Sequence, residues 1–228
     1  MTEGIFSRNF VIHLGILAIG ITLLSGAVIM PASASISSGP QTHPPSVLST
    51  LSAQWWRWIL PIPPANNPLI HNDIPCNIAQ SGPFFFLVGT QGGSAERNCT
   101  IPQGKSIFFP VINFFQTVDK EPPFNSIEKV KKSVIENINQ AHNLHASVDG
   151  VNINLDKARA LSPPFTIKLR SPNIFGAPPD DYWALSDGYW VALKPLSVGQ
   201  HQISFSGEGV DFFGNPFSVD VKYHITVK

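Results

Sequence analysis

From Leu144 to the carboxyl end, apolar and polar residues alternate with a period of two, the pattern of strands that bury one face. Phe165, Ile167 and Leu169 interleave with Thr166, Lys168 and Arg170; Tyr189, Val191 and Leu193 with Trp190, Ala192 and Lys194; His201, Ile203 and Phe205 with Gln202, Ser204 and Ser206. In the last and longest run Phe217, Val219, Val221, Tyr223, Ile225 and Val227 share one side, against Ser218, Asp220, Lys222, His224, Thr226 and Lys228. His145 to Val148 and Val151 to Leu155 flank Asp149-Gly150, a pair suited to a type I′ hairpin turn because both central residues need positive φ. One-sided strands at short spacing predict a mostly β fold, an antiparallel β-sandwich of jelly-roll or immunoglobulin-like type, with α+β as the alternative.

Two stretches keep helical spacing instead. Leu48, Leu51, Trp55, Trp58 and Ile59 recur at threes and fours until Pro61, Pro63 and Pro64 end the run. That spacing assigns Trp55 and Trp58 to the core and leaves Trp56 and Arg57 off the stripe, so Trp56 is a candidate stacking platform. Ile127, Val130, Val134, Ile138 and Ala141 form a second apolar stripe, and Asn125 with Glu128 resembles a capping box ahead of it. Both helices are expected to cover a sheet.

Cys76 to Phe115 has neither pattern. Phe84 to Val88 and Ile107 to Ile112 are apolar on both sides, as in strands buried on both faces, and Pro110 pushes the second towards an edge or a bulge. Gly89, Gly92 and Gly93 read as a reversing turn, with Glu96 and Arg97 exposed on the connection. Gln103-Gly104-Lys105-Ser106 ends like a phosphate-binding loop, but Cys99 stands where that motif needs glycine and a strand follows it.

The amino end changes the picture. An apolar run from Phe10 to Ile29 follows Arg8 and precedes Pro31-Ala32-Ser33-Ala34, the small-residue pattern a signal peptidase accepts. Residues 1–34 thus read as a signal peptide, or else as an uncleaved membrane anchor, and both place the body outside the cytoplasm. Residues 35–45 are Ser-, Pro- and Gly-rich and read as a flexible linker to one domain, 46–228. In an oxidising compartment, Cys76 and Cys99, the only cysteines of the chain, are expected to form a disulfide. Charged residues make up 13%, and 15 basic residues balance 15 acidic ones, which speaks against a nucleic-acid partner.

Candidate chemistry concentrates in Pro178 to Trp190, where Asp180, Asp181 and Asp187 stand among Tyr182, Trp183, Tyr189 and Trp190. Aromatic planes beside carboxylates suit a saccharide, and the carboxylate oxygens would also suit Ca²⁺. The competing reading is a Pro/Asp turn that leads into a strand. His71 and Asp73 lack a third metal ligand, and His201 and His224 fall on opposite faces, so no metal site is expected from histidines.

In order along the chain, Gln54-Trp55-Trp56-Arg57-Trp58, QSGPFFFLVGTQGG, CTIPQGKSIFFPVIN, SVDG, SPNIFG, SDGYWVALKPLSVGQH and YHITV resemble a family of secreted bacterial and archaeal proteins. The resemblance implies export and single-domain extent and carries no activity. The expected function is a non-catalytic binding module for an extracellular ligand such as a glycan, using Trp56 and the segment from Asp180 to Trp190. One alternative is a glycosidase-like hydrolase pairing Asp181 or Asp187 with Glu96; another is a structural or assembly role in the cell envelope through a sheet edge.

Overall fold

The computed structural model describes residues 39–228. The expected signal segment, 1–34, and the start of the linker lie outside the described residues. The elements run α1 (Leu48–Ile59), β1 (Phe84–Phe86), β2 (Gly93–Ile101), β3 (Ser106–Thr117), α2 (Ile127–Ile138), β4 (His142–Val148), β5 (Val151–Asn152), β6 (Phe165–Leu169), β7 (Asp180–Leu193), β8 (Gly199–Val210) and β9 (Pro216–Val227). They build a curled sandwich of a four-stranded sheet, β1-β3-β7-β6, and a five-stranded sheet, β2-β9-β8-β4-β5. Each sheet is mixed: β1 runs parallel to β3 and β2 parallel to β9, while the remaining pairs are antiparallel.

The doubly apolar strands occupy the middle layer. One face of the four-stranded sheet puts Phe109, Val191 and Leu193 against Phe205, Val221 and Ile225 of the other sheet. The opposite face puts Phe108, Trp190, Ala192 and the alternating Phe165, Ile167 and Leu169 against α1. The strands must therefore be apolar on both sides, because burying either face alone would leave the other wet. α2 covers the far end of the same sheet, where Val130 and Val134 meet Leu185. Its N-cap is Ser126, whose Oγ accepts from the Lys129 N–H, and Asn125 instead takes a bond from Lys129 Nζ.

Three local features lock the frame. Asn67, fully buried, donates to the Ile59 and Ile62 carbonyls and accepts from the Leu69 N–H, closing the end of α1. The Cys76–Cys99 disulfide, with Cα atoms 5.7 Å apart, ties the loop ahead of β1 to the other sheet's edge. Asp149 (φ 51°) and Gly150 (φ 77°) make the predicted hairpin turn between β4 and β5.

Several expectations are corrected. Gln41 and His43, read as linker, run beside β7, with Lys194 donating to Gln41 O and His43 to Ala192 O. Glu96 and Arg97 lie in strand β2, not in a turn, and Arg97 is buried with its guanidinium over the Tyr223 ring and donating to Pro68 O and Asn72 Oδ1. In α1 it is Trp56 that is buried and Trp58 that is half-exposed, because the buried stripe is wide enough to include Ser52 and Trp56.

Candidate functional site

β3 is twelve residues long but β1 only three, and their pairing ends at Phe86↔Phe108. Past that point the register against β7 shifts between Pro110 and Ile112, the bulge that a residue without an N–H favours. Antiparallel neighbours alternate between pairs that bond each other and pairs that point away. Gly188 O accepts from Ala160 N and Ser186 O from Ser162 N, so both residues face away from β3. Their register partners Asn113 and Phe115 therefore face away from β7, as does Thr117 opposite Ala184, whose other neighbour is Phe165. No strand pairs with that side of β3 after Phe108 among the described residues.

A cavity of about 730 Å³ runs along this edge, and every residue from Pro110 to Thr117 lines it. Its α1-side wall carries Trp56 stacked on Phe115 at 4.4 Å, with Phe175 stacked on Phe115 in turn at 5.6 Å. The other wall carries Ile138 at the end of α2, Ala141 in the turn that follows it, and Phe212 stacked on Phe114 at 6.4 Å. Phe212 and Phe213 sit at the tip of the β8–β9 hairpin, 52% and 82% exposed. Asp211 shapes that tip by accepting from the Phe213 and Asn215 N–H groups, and the Asn215 side chain together with these backbone bonds holds its carboxyl below the usual range.

The floor of the α1 layer holds an unusual number of unpartnered polar atoms. Among the described residues, Trp56 Nε1, Asn113 Nδ2, Ser186 Oγ and Trp190 Nε1 are buried without a hydrogen-bond partner, and Trp56 and Asn113 belong to the cavity lining. Buried donors left unpaired are rare enough to need a reason. Gly188 keeps room beside them: a Cβ there would lie 2.7 Å from Asn113 Cβ and 2.7 Å from Ile112 O.

The structure divides the sequence-predicted site. β7 begins at Asp180, so the acidic aromatic segment is strand rather than loop, and its side chains alternate between two faces. Trp190 is 1% exposed and stacks on Phe108 at 5.2 Å, a core residue and no ligand platform. Asp187 is 1% exposed and receives Arg159 Nη2 at 2.7 Å and Nε at 3.1 Å; the same guanidinium donates to Asn139 Oδ1 and Ile135 O, anchoring the end of α2. Asp180 meets Lys120 and Asp181 meets Arg170 on the surface. Trp183 is 54% exposed; of the predicted site residues, Tyr182, bonded to Pro178 O, and Trp56 reach the groove. Glu96 stands on the other sheet, 2.5 Å from His224, and that bond, with Lys222 nearby, holds its carboxyl below the usual range. The three acids considered for hydrolysis are thus each held by a different basic partner. A larger concavity, about 1080 Å³, lies on the other flank of α1 and takes none of the predicted site residues.

No family model matches the chain, and neither does any curated protein. The groove itself escaped the sequence because Trp56, Phe115, Phe175 and Phe212 come from four separate stretches. One signal was available: Phe212-Phe213-Gly214 puts two aromatics at the turn between two strands, where polar residues are the rule.

Proposed function

We propose that the chain is an exported, non-catalytic binding module whose ligand lies in the groove along β3. The observation that carries this is the cavity of about 730 Å³, walled by Trp56, Phe114, Phe115, Phe175 and Phe212 and holding unpartnered N–H donors in its lining. Concave, mostly apolar sites with a few convergent polar groups are where ligands bind. The Ala32-Ser33-Ala34 pattern and the disulfide support export. The engagement of Asp181, Asp187 and Glu96 in separate ion pairs supports binding without catalysis.

Titration with N-phenyl-1-naphthylamine, a neutral apolar fluorophore, tests the site. Binding is expected to weaken about tenfold or more in Ala141→Phe, which fills the groove from the α2 side, and to stay unchanged in Trp183→Ala. Equal binding by wild type and Ala141→Phe would overturn the assignment. A second reading follows from the 54% exposure of Trp183, which offers a stacking face to a saccharide at the far end of β7. A glycan array on which Trp183→Ala loses signal and Ala141→Phe does not would favour it.

A further inference from the structure

We infer that the occupant of the groove is an extended peptide segment of another protein, uncharged or basic along its length, added as a strand to the open edge of β3. This deepens the proposed function and rests on the groove being the ligand site. The backbone of that edge carries the argument. Asn113 and Phe115 turn both N–H and C=O away from β7, and Thr117 turns its N–H the same way; none of these groups has a partner among the described residues. They recur at every second residue, about 6.6 Å apart, which is the repeat that a second extended backbone presents. An unpaired edge of this kind is a template for strand addition.

The start of the same edge already shows the geometry. Ser106 donates to Pro83 O and Phe108 O accepts from Leu87 N, so β1 occupies the edge as a parallel strand until the chain leaves it for β2. An added segment continues where β1 stops. Its side chains would alternate between the two walls, one set meeting Trp56 and Phe115 and the other Phe114 and Phe212. Alternating pockets on either side of a backbone ladder give a strand-binding groove its specificity.

Charge narrows the partner. Among the described residues, the charged side chains in the lining are Asp119 and Asp211, with no lysine or arginine. A fatty carboxylate would find no cation there and would leave the backbone ladder unpaired, and an acidic peptide would meet like charge. A second copy of this chain would have to bring a whole sheet edge between the hairpin tip and the Phe175 loop, whereas a lone segment brings only its own backbone.

The test selects nine-residue peptides from a random phage-displayed library against the purified protein and resynthesises the retained sequences with alternate amides N-methylated. Retained peptides should alternate apolar residues and lack Asp and Glu. Methylating one alternate set should weaken binding at least tenfold and methylating the other should change it little, because one edge of the peptide faces β3. Bound peptide should also slow hydrogen exchange at the Asn113, Phe115 and Thr117 amides. Equal losses for both sets, no loss for either, or protection elsewhere would overturn the inference. So would a failure to retain any peptide while N-phenyl-1-naphthylamine still binds, which leaves the groove as a ligand site for another class. Concentration-dependent protection of the same three amides without peptide would reassign the edge to a second copy. Loss of fluorophore and peptide binding together would remove the proposed function as well.

Discussion

The two halves of β3 have nearly the same apolar character, Ile107-Phe108-Phe109 before Pro110 and Val111 to Phe115 after it, yet one half is sealed and the other is open. In the first half β1 and β7 occupy both edges, and α1 and the second sheet occupy both faces. In the second half the same two faces are covered by Trp56 and α2, but among the described residues one edge has no strand, and a cavity runs beside it. Residue character therefore does not distinguish sealed core from open groove here. The difference comes from the length of β1, three residues against twelve, and from the Pro110 bulge, which turns the strand as its partner departs.

The largest effect expected from breaking this contrast is in the sealed half. Phe108 is fully buried and stacked on Trp190, so Phe108→Ala should cost about 3–5 kcal/mol in urea unfolding. Phe115, half-buried beside the groove, should cost only about 1–2 kcal/mol on the same substitution while weakening fluorophore binding. Equal destabilisation by the two would erase the distinction.

The disulfide comes next. Cys76–Cys99 closes a separation of 23 residues and holds the segment that leads into β1. Replacing both cysteines by alanine should cost roughly 3 kcal/mol in the chain-entropy picture. It should also raise hydrogen exchange at the Leu87 amide, which bonds Phe108 O, towards the rate of the free Phe115 amide. An unchanged Leu87 rate would mean that β1 holds the edge without its staple.

The smallest effect lies outside both halves and serves as their control. Burial lowers the His201 pKa, but the bond to Asp149 at 2.7 Å and the one to Ser197 O outweigh it and hold the imidazole above its ordinary 6.5. A raised folded-state pKa contributes stability that is fully present below pH 6.5 and is lost as pH rises through the higher folded value. His201→Gln should flatten that decline in a denaturation series across neutral pH, with no change in fluorophore binding. A decline of the same size in the variant would place the pH dependence elsewhere.

The strands were largely legible. β6 and β9 follow their alternation almost residue for residue, because each buries one face and solvates the other, and Asp149-Gly150 marks its turn because few other pairs accept two positive φ angles. The double burial of β1 and β3 was legible from the same logic, and so was the disulfide. Trp190 and Asp187 were misread because a tryptophan or an aspartate in an acidic aromatic run looks alike whether its strand faces solvent or core. Burial of Asp187 depended on Arg159, 28 residues away and without local pattern. Trp56 was misplaced in the opposite sense: helical spacing ranked it off the stripe, and the stack on Phe115 drew it in.

By itself, then, the sequence determined which segments extend, which coil and which residues need cover, since those follow from period, turn chemistry and the cost of wetting apolar side chains. Only the tertiary structure decided that β2 would leave for the second sheet after three residues of β1, that β3 would outlast its partner, and that aromatics from four distant segments would wall the gap. Those outcomes depend on strand pairing between segments far apart in the chain, and no local pattern encodes an edge left without a neighbour.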